Sequence, residues 1–223
     1  MKWRLACLDM AGTTVRDDGL VEQAFAVSIA GEGLVPGSRG YDRALAIVRK
    51  TMGHSKIDVF RLLLGDIDRA AATNELFEEA YADLVADGLV KPIDGAAEAV
   101  TALREAGVKV ALTTSFARAT QDAILDALGW RELADLTLCP SDVGRGRPYP
   151  DLVLGAARRL GVADRGAVAV AGDTPADVAA GLRADAGLVV GVLTGAADRQ
   201  TLMDAGVHVV LGSIAELLAL LLN

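Results

Sequence analysis

Residues 5–14 read LACLDMAGTT: a short apolar run from Leu5 to Leu8, a carboxylate at Asp9, then a break at Gly12 into two threonines. A buried parallel strand has this form. Both of its faces are covered, so it is apolar throughout, and it turns polar where it leaves the sheet. Working outward, residues 108–114 (VKVALTT), 136–139 (LTLC), 167–173 (AVAVAGD), 188–194 (LVVGVLT) and 208–211 (HVVL) repeat that pattern. Between them lie segments of helical period: Arg118 to Leu128 closed by Gly129, Asp151 to about Leu160 closed by Gly161, and one from Pro175 that ends before Gly187. Strand and helix in alternation predict an α/β fold, a doubly wound parallel sheet with helices on both faces.

Residues 16–88 break the alternation. Apolar residues recur at helical spacing through Val21–Ile29, Ala44–Val48, Ile57–Leu64 and Leu76–Leu84, with no strand pattern. The expectation is a helical cap domain at 16–88, inserted between the halves of a core domain at 1–15 and 89–223. It leaves directly after the AGTT turn, so it can close over the sheet's polar edge.

Acidic residues outnumber basic ones 30 to 22, for a net charge of −8. Nucleic-acid backbones need a basic face, so this balance excludes them as the expected partner. An anionic substrate must instead be drawn in by a local cation. Cys7 and Cys139 each sit in an apolar strand run and read as free thiols in a reducing compartment. Asp9 interrupts any leader-like apolar stretch, and the run at 217–222 is too short to span a bilayer. The expected location is the cytoplasm, away from the membrane.

Ligands of open parallel sheets bind beyond the carboxyl ends of the strands. Three strands here end in Asp9, Thr114 and Asp173. Two carboxylates at neighbouring strand ends form a hard-oxygen site suited to Mg²⁺. Thr114 and the turn amides at Gly12 and Thr13 can hold anionic oxygens, and Arg147, in the loop SDVGRGRPYP (141–150), offers them a planar cation. GDTPAD (172–177) doubles as a helix start, with Thr174 before Pro175.

Taken together, DMAGTT (9–14), Thr114 in LTTS, Arg147 in GRPYP and GDTPAD resemble, in order, the four motifs of the haloacid dehalogenase superfamily. The resemblance covers essentially the whole chain. It implies that Asp9 is a nucleophile forming an aspartyl-phosphoryl intermediate. It also implies Mg²⁺ on Asp9, the Ala11 carbonyl and Asp173, with Asp177 in support.

Phosphatases of that superfamily carry an aspartate where Ala11 stands, and it protonates the leaving oxygen. The phosphonoacetaldehyde hydrolase (phosphonatase) branch does not, and D-x-AGTT and GRPYP are similar to its motifs. Its leaving group is carbon, so a lysine condenses with the substrate aldehyde and the iminium takes the electrons. TMGHSKIDVF (51–60) resembles the segment that carries this lysine, which makes Lys56 the candidate, flanked by Met52 and His54. A cation in a helix's first turn meets the positive end of the dipole, which, with burial, lowers its pKa. The chain departs from the branch in having Val59 where a histidine follows the lysine, and Ser115-Phe116 where Gly-Tyr follows Thr114. The resemblance implies a homodimer and a small phosphonate or phosphate as substrate. A phosphatase for a small metabolite, or a silent phosphoryl-binding module, are the alternative readings.

Overall fold

The computed structural model describes residues 2–222. Among them, strands β1 (Leu5–Asp9), β2 (Lys109–Thr113), β3 (Leu136–Leu138), β4 (Val168–Gly172), β5 (Leu188–Val192) and β6 (Val209–Leu211) form a single sheet. Every pairing is parallel, in the order β3-β2-β1-β4-β5-β6. All the expected strands are present; some stop short of the apolar run, as at Val192 in LVVGVLT. β1 is central, and its register sets Asp9 beside Thr113 and Leu8 beside Ala171. The three polar strand ends therefore emerge together.

Alternation along β1 builds a core on each face. Leu5 and Cys7 point into one with α7 (Asp151–Arg159), α8 (Pro175–Arg183) and α9 (Arg199–Asp204). Ala6 and Leu8 point into the other with α5 (Ala96–Glu105), α6 (Arg118–Ala127) and α10 (Leu217–Leu222). Leu5 and Leu8 are wholly buried, each gaining roughly 1.5–3 kcal/mol from removal from water, before entropy is counted. Cys7 and Cys139 are buried free thiols, and burial pushes Cys7 up to about 12. The leucine-rich α10 packs on α5 through Leu217 and Leu221.

Four helices lie between β1 and α5: α1 (Leu20–Ala30), α2 (Arg39–Lys50), α3 (Lys56–Leu64) and α4 (Ile67–Ala86). The chain leaves and returns along paired segments, with the Arg16 amide donating to the Lys91 carbonyl at 2.8 Å and the Ile93 amide to Thr14 at 2.9 Å. Aromatic rings join these helices to the sheet core. Phe25, Phe60, Phe77 and Phe116 follow one another at centroid spacings of 6.0, 6.0 and 6.3 Å, and Tyr81 lies 4.5 Å from Phe116. Edge and offset contacts of this kind add to the burial of the rings. Because Phe116 directly follows Thr114 and Ser115, the ladder ties the inserted helices to a strand end of the site. No helix among the described residues is long and apolar enough to cross a membrane.

Candidate active site

Asp9 leaves β1 into a tight turn. The Thr14 hydroxyl donates to the Asp9 carbonyl at 2.9 Å, and the Gly12 amide donates to Val15 at 2.7 Å. Gly12 has φ of 90°, and a Cβ there would fall 2.4 Å from Asp173 Oδ2. A Cβ on Gly195 would fall 2.0 Å from the same oxygen. Two glycine backbones thus enclose the Asp173 carboxylate. The Thr13 hydroxyl donates to its Oδ1 at 3.1 Å and the Ala196 amide to its Oδ2 at 2.7 Å.

Asp177 sits at the third position of α8 and completes a capping box with Thr174, whose amide donates to Asp177 Oδ2 at 3.1 Å. Its other oxygen accepts from Arg147 Nη1, which donates to Asp9 as well. The ligand oxygens of Asp9, Asp173 and Asp177 lie within 4.8 Å of one another, and all three residues are buried. Burial opposes the Arg147 charge, but Asp177 and Asp9 outweigh it and hold its pKa above the usual arginine value. Burial pushes Asp173 up to about 6, with Asp177 adding to it. Burial also raises Asp9, against the pull of Arg147.

Three carboxylates around one guanidinium leave two negative charges uncompensated when all are ionised. Hard oxygens with that deficit fit a divalent cation such as Mg²⁺. Arg147 is 4% exposed, and its Nε and Nη2 have no partner among the described residues. Buried donors of this kind are costly unless an acceptor meets them, and an oxyanion fits their fork.

Above this floor is a cavity of about 500 Å³, lined by Asp9, Ala11 and Thr114 from the sheet and by Met52, Gly53 and Lys56 from the inserted helices. Lys56 is the first residue of α3 and only 8% exposed. Its ammonium lies 5.4 Å from the Phe116 ring centroid and 5.8 Å from that of Phe77, and among the described residues it has no ion pair. Burial lowers its pKa, against the pull of Asp17 and Glu78. The shift favours the neutral amine relative to an exposed lysine.

A model of the haloacid dehalogenase-like hydrolase family matches residues 3–185. The chain belongs to that family. It is similar to the phosphonoacetaldehyde hydrolase of Bacillus cereus, with 30% identity over 216 residues that cover 89% of this chain and 78% of the relative. Among solved structures it is similar to a hydrolase from Pseudomonas syringae, with a TM-score of 0.84 and 25% identity over 97% of this chain and 96% of the other. A phosphonoacetaldehyde hydrolase-like protein from Oleispira antarctica has the same fold, with a TM-score of 0.85 and 24% identity over 100% of this chain and 92% of the other.

In this hydrolase, Asp9, Ala11, Met52, Lys56, Thr114, Ser115 and Asp173 all line the cavity. Gly12 and Thr13 do not; they shape and hold Asp173 beneath it. His54, expected beside Lys56, lines a separate cavity together with Arg147. The turn at Gly53 (φ 84°) separates it from Met52, and a Cβ on Gly53 would strike Thr174 Oγ1 at 2.3 Å. That close approach presses the 51–55 loop onto the sheet's polar edge.

Sequence reasoning missed Asp17, Glu22 and Arg49, which line the cavity, and Glu78, which faces Lys56 from α4. Glu22 and Arg49 pair through two hydrogen bonds of 2.8 and 2.6 Å. Nothing in the local sequence sets these residues apart from solvated helix charges. Their role comes from how α1 and α2 lie over the sheet.

Proposed function

We propose that this hydrolase cleaves the carbon–phosphorus bond of a small phosphonate aldehyde such as phosphonoacetaldehyde. The observation that carries the reading is Lys56: buried, without an ion pair, and lining the same cavity as Asp9, across from a position 11 that holds no acid. A carbanion cannot be rescued by protonating an oxygen, so an electron sink has to replace the missing carboxylate.

The Lys56 amine adds to the aldehyde and, with loss of water, becomes an iminium. Asp9 attacks phosphorus, and the P–C electrons form the C=C bond of an enamine as the C=N π pair moves onto nitrogen, while the phosphoryl group passes to Asp9. Water then releases phosphate from Asp9. The enamine takes a proton at carbon, and hydrolysis returns acetaldehyde and the Lys56 amine. Arg147, reaching in from the neighbouring cavity, holds Asp9 and Asp177 in place through Nη1, and Thr114 and Ser115 border the phosphoryl oxygens. Asp9, the Ala11 carbonyl and Asp173, with Asp177 behind, would hold Mg²⁺, which supplies charge neutralisation at the phosphoryl oxygens.

In this reading α1–α4 form a cap over a core of residues 1–15 and 89–223, the chain pairs as a homodimer, and it works in the cytoplasm. The test is a comparison of phosphonoacetaldehyde with a panel of phosphate monoesters, with and without Mg²⁺. Mg²⁺-dependent release of both phosphate and acetaldehyde is expected. Turnover confined to the monoesters would overturn the reading.

A further inference from the structure

Iminium formation at Lys56 needs a group that returns a proton to the departing hydroxyl, and this proposal rests on the P–C reading above. We infer that Asp17 is that acid–base residue. Besides Asp9, the proposed nucleophile, two acidic residues act on Lys56: Glu78 and Asp17. Glu78 faces Lys56, but its carboxylate is occupied: the Ala117 amide donates to both of its oxygens at 3.2 Å, and the Thr120 hydroxyl also donates to it.

Asp17 lines the same cavity as Lys56 and Asp9. Its Oδ1 accepts from the Val21 amide at 3.0 Å, which anchors the side chain at the start of α1, and its Oδ2 has no protein partner among the described residues. Burial raises its pKa, so the protonated form persists to higher pH than for an exposed aspartate. An anchored carboxyl with one free oxygen, lining the same cavity as the amine, is placed to exchange protons with the hydroxyl that forms on the carbon Lys56 attacks.

The step balances as follows. The neutral Lys56 amine adds to the carbonyl carbon, and protonated Asp17 gives its proton to the new alkoxide. The resulting carboxylate takes a proton from the ammonium nitrogen and passes it to the carbinol hydroxyl. That hydroxyl leaves as water while the nitrogen lone pair forms C=N, and the iminium faces the Asp17 carboxylate.

Timed borohydride quenching with acetaldehyde as the probe, without metal, isolates iminium formation from P–C cleavage. Asp17→Asn keeps an oxygen for the Val21 amide but cannot carry the proton. We expect the Lys56 adduct to form at least about 100-fold more slowly than in wild type. Asp17→Ala should be similarly slow and partly rescued by added formate, an effect that loss of the helix cap alone would not give. Wild-type rates of adduct formation in folded Asp17→Asn would overturn the role of Asp17 and leave the P–C reading standing. Absence of any adduct in wild type would overturn both.

Discussion

The floor and the roof of the cavity are built by different means. The floor is the ends of parallel strands and the first turn of α8, where register and close packing fix Asp9, Asp173 and Asp177 within 4.8 Å of one another, with Arg147 between two of them. The roof is a helical segment whose contribution is one buried lysine, aromatic rings beside it and four further charged residues, Asp17, Asp18, Glu22 and Arg49. The floor suits phosphoryl transfer to a carboxylate whatever the leaving group is. In the proposed reading, the roof determines which leaving group can depart. A single scaffold can therefore keep its phosphoryl chemistry and change its substrate by altering what the inserted helices present.

If that division is right, a change in the floor stops every reaction, whereas a change above it redirects the chemistry. Asp9→Asn should lower turnover of any substrate by at least about 10⁴-fold, the scale on which nucleophiles matter. Cooperative thermal melting should persist, because the change is nearly isosteric at a strand end. More than a small residual activity would remove Asp9 as nucleophile.

Asp173→Ala should weaken Mg²⁺ binding by about 100-fold or more, since losing even an indirect partner of a metal costs 10–100-fold. Titration calorimetry measures it, and unchanged affinity would dismiss the assigned metal site.

A smaller effect is expected at the boundary between floor and roof. Ala11→Asp puts an acid into the cavity beside Asp9. Phosphate-ester hydrolysis should rise by roughly tenfold, toward the range that general acids supply, while P–C cleavage does not improve. A gain in P–C cleavage would mean that position 11 is not what separates the two chemistries.

The same contrast accounts for what could be read from the sequence. The floor was legible because Asp9 and Asp173 each end an apolar run, and parallel topology brings such ends together whatever their separation along the chain, while Asp177 and Arg147 stand in short local motifs. The strand containing Asp9 and the motif at 172–177 are signals of this kind. Asp177 illustrates a residue with two roles, since it caps α8 with one oxygen and meets Arg147 with the other.

Lys56 could be found because a local pattern surrounds it, but its burial could not be read from its neighbours. His54, two residues earlier, faces a different cavity. Asp17, Glu22 and Arg49 were illegible for a further reason. Asp17 precedes α1 and Arg49 lies in the last turn of α2, and only the packing of α1 against α4, with Arg49 tied to Glu22, brings these charges to the cavity.

The central claim is that Lys56 does the work an acid at position 11 would otherwise do. Incubation with phosphonoacetaldehyde, reduction by borohydride and peptide mass spectrometry test it directly. The account predicts a stable adduct on Lys56, and loss of both adduct and P–C cleavage in Lys56→Arg, because guanidinium stays protonated and cannot condense. Lys50, at the exposed end of α2, is the internal control and should stay unlabelled. Efficient P–C cleavage with no trappable lysine, or an adduct on Lys50 alone, would contradict the account.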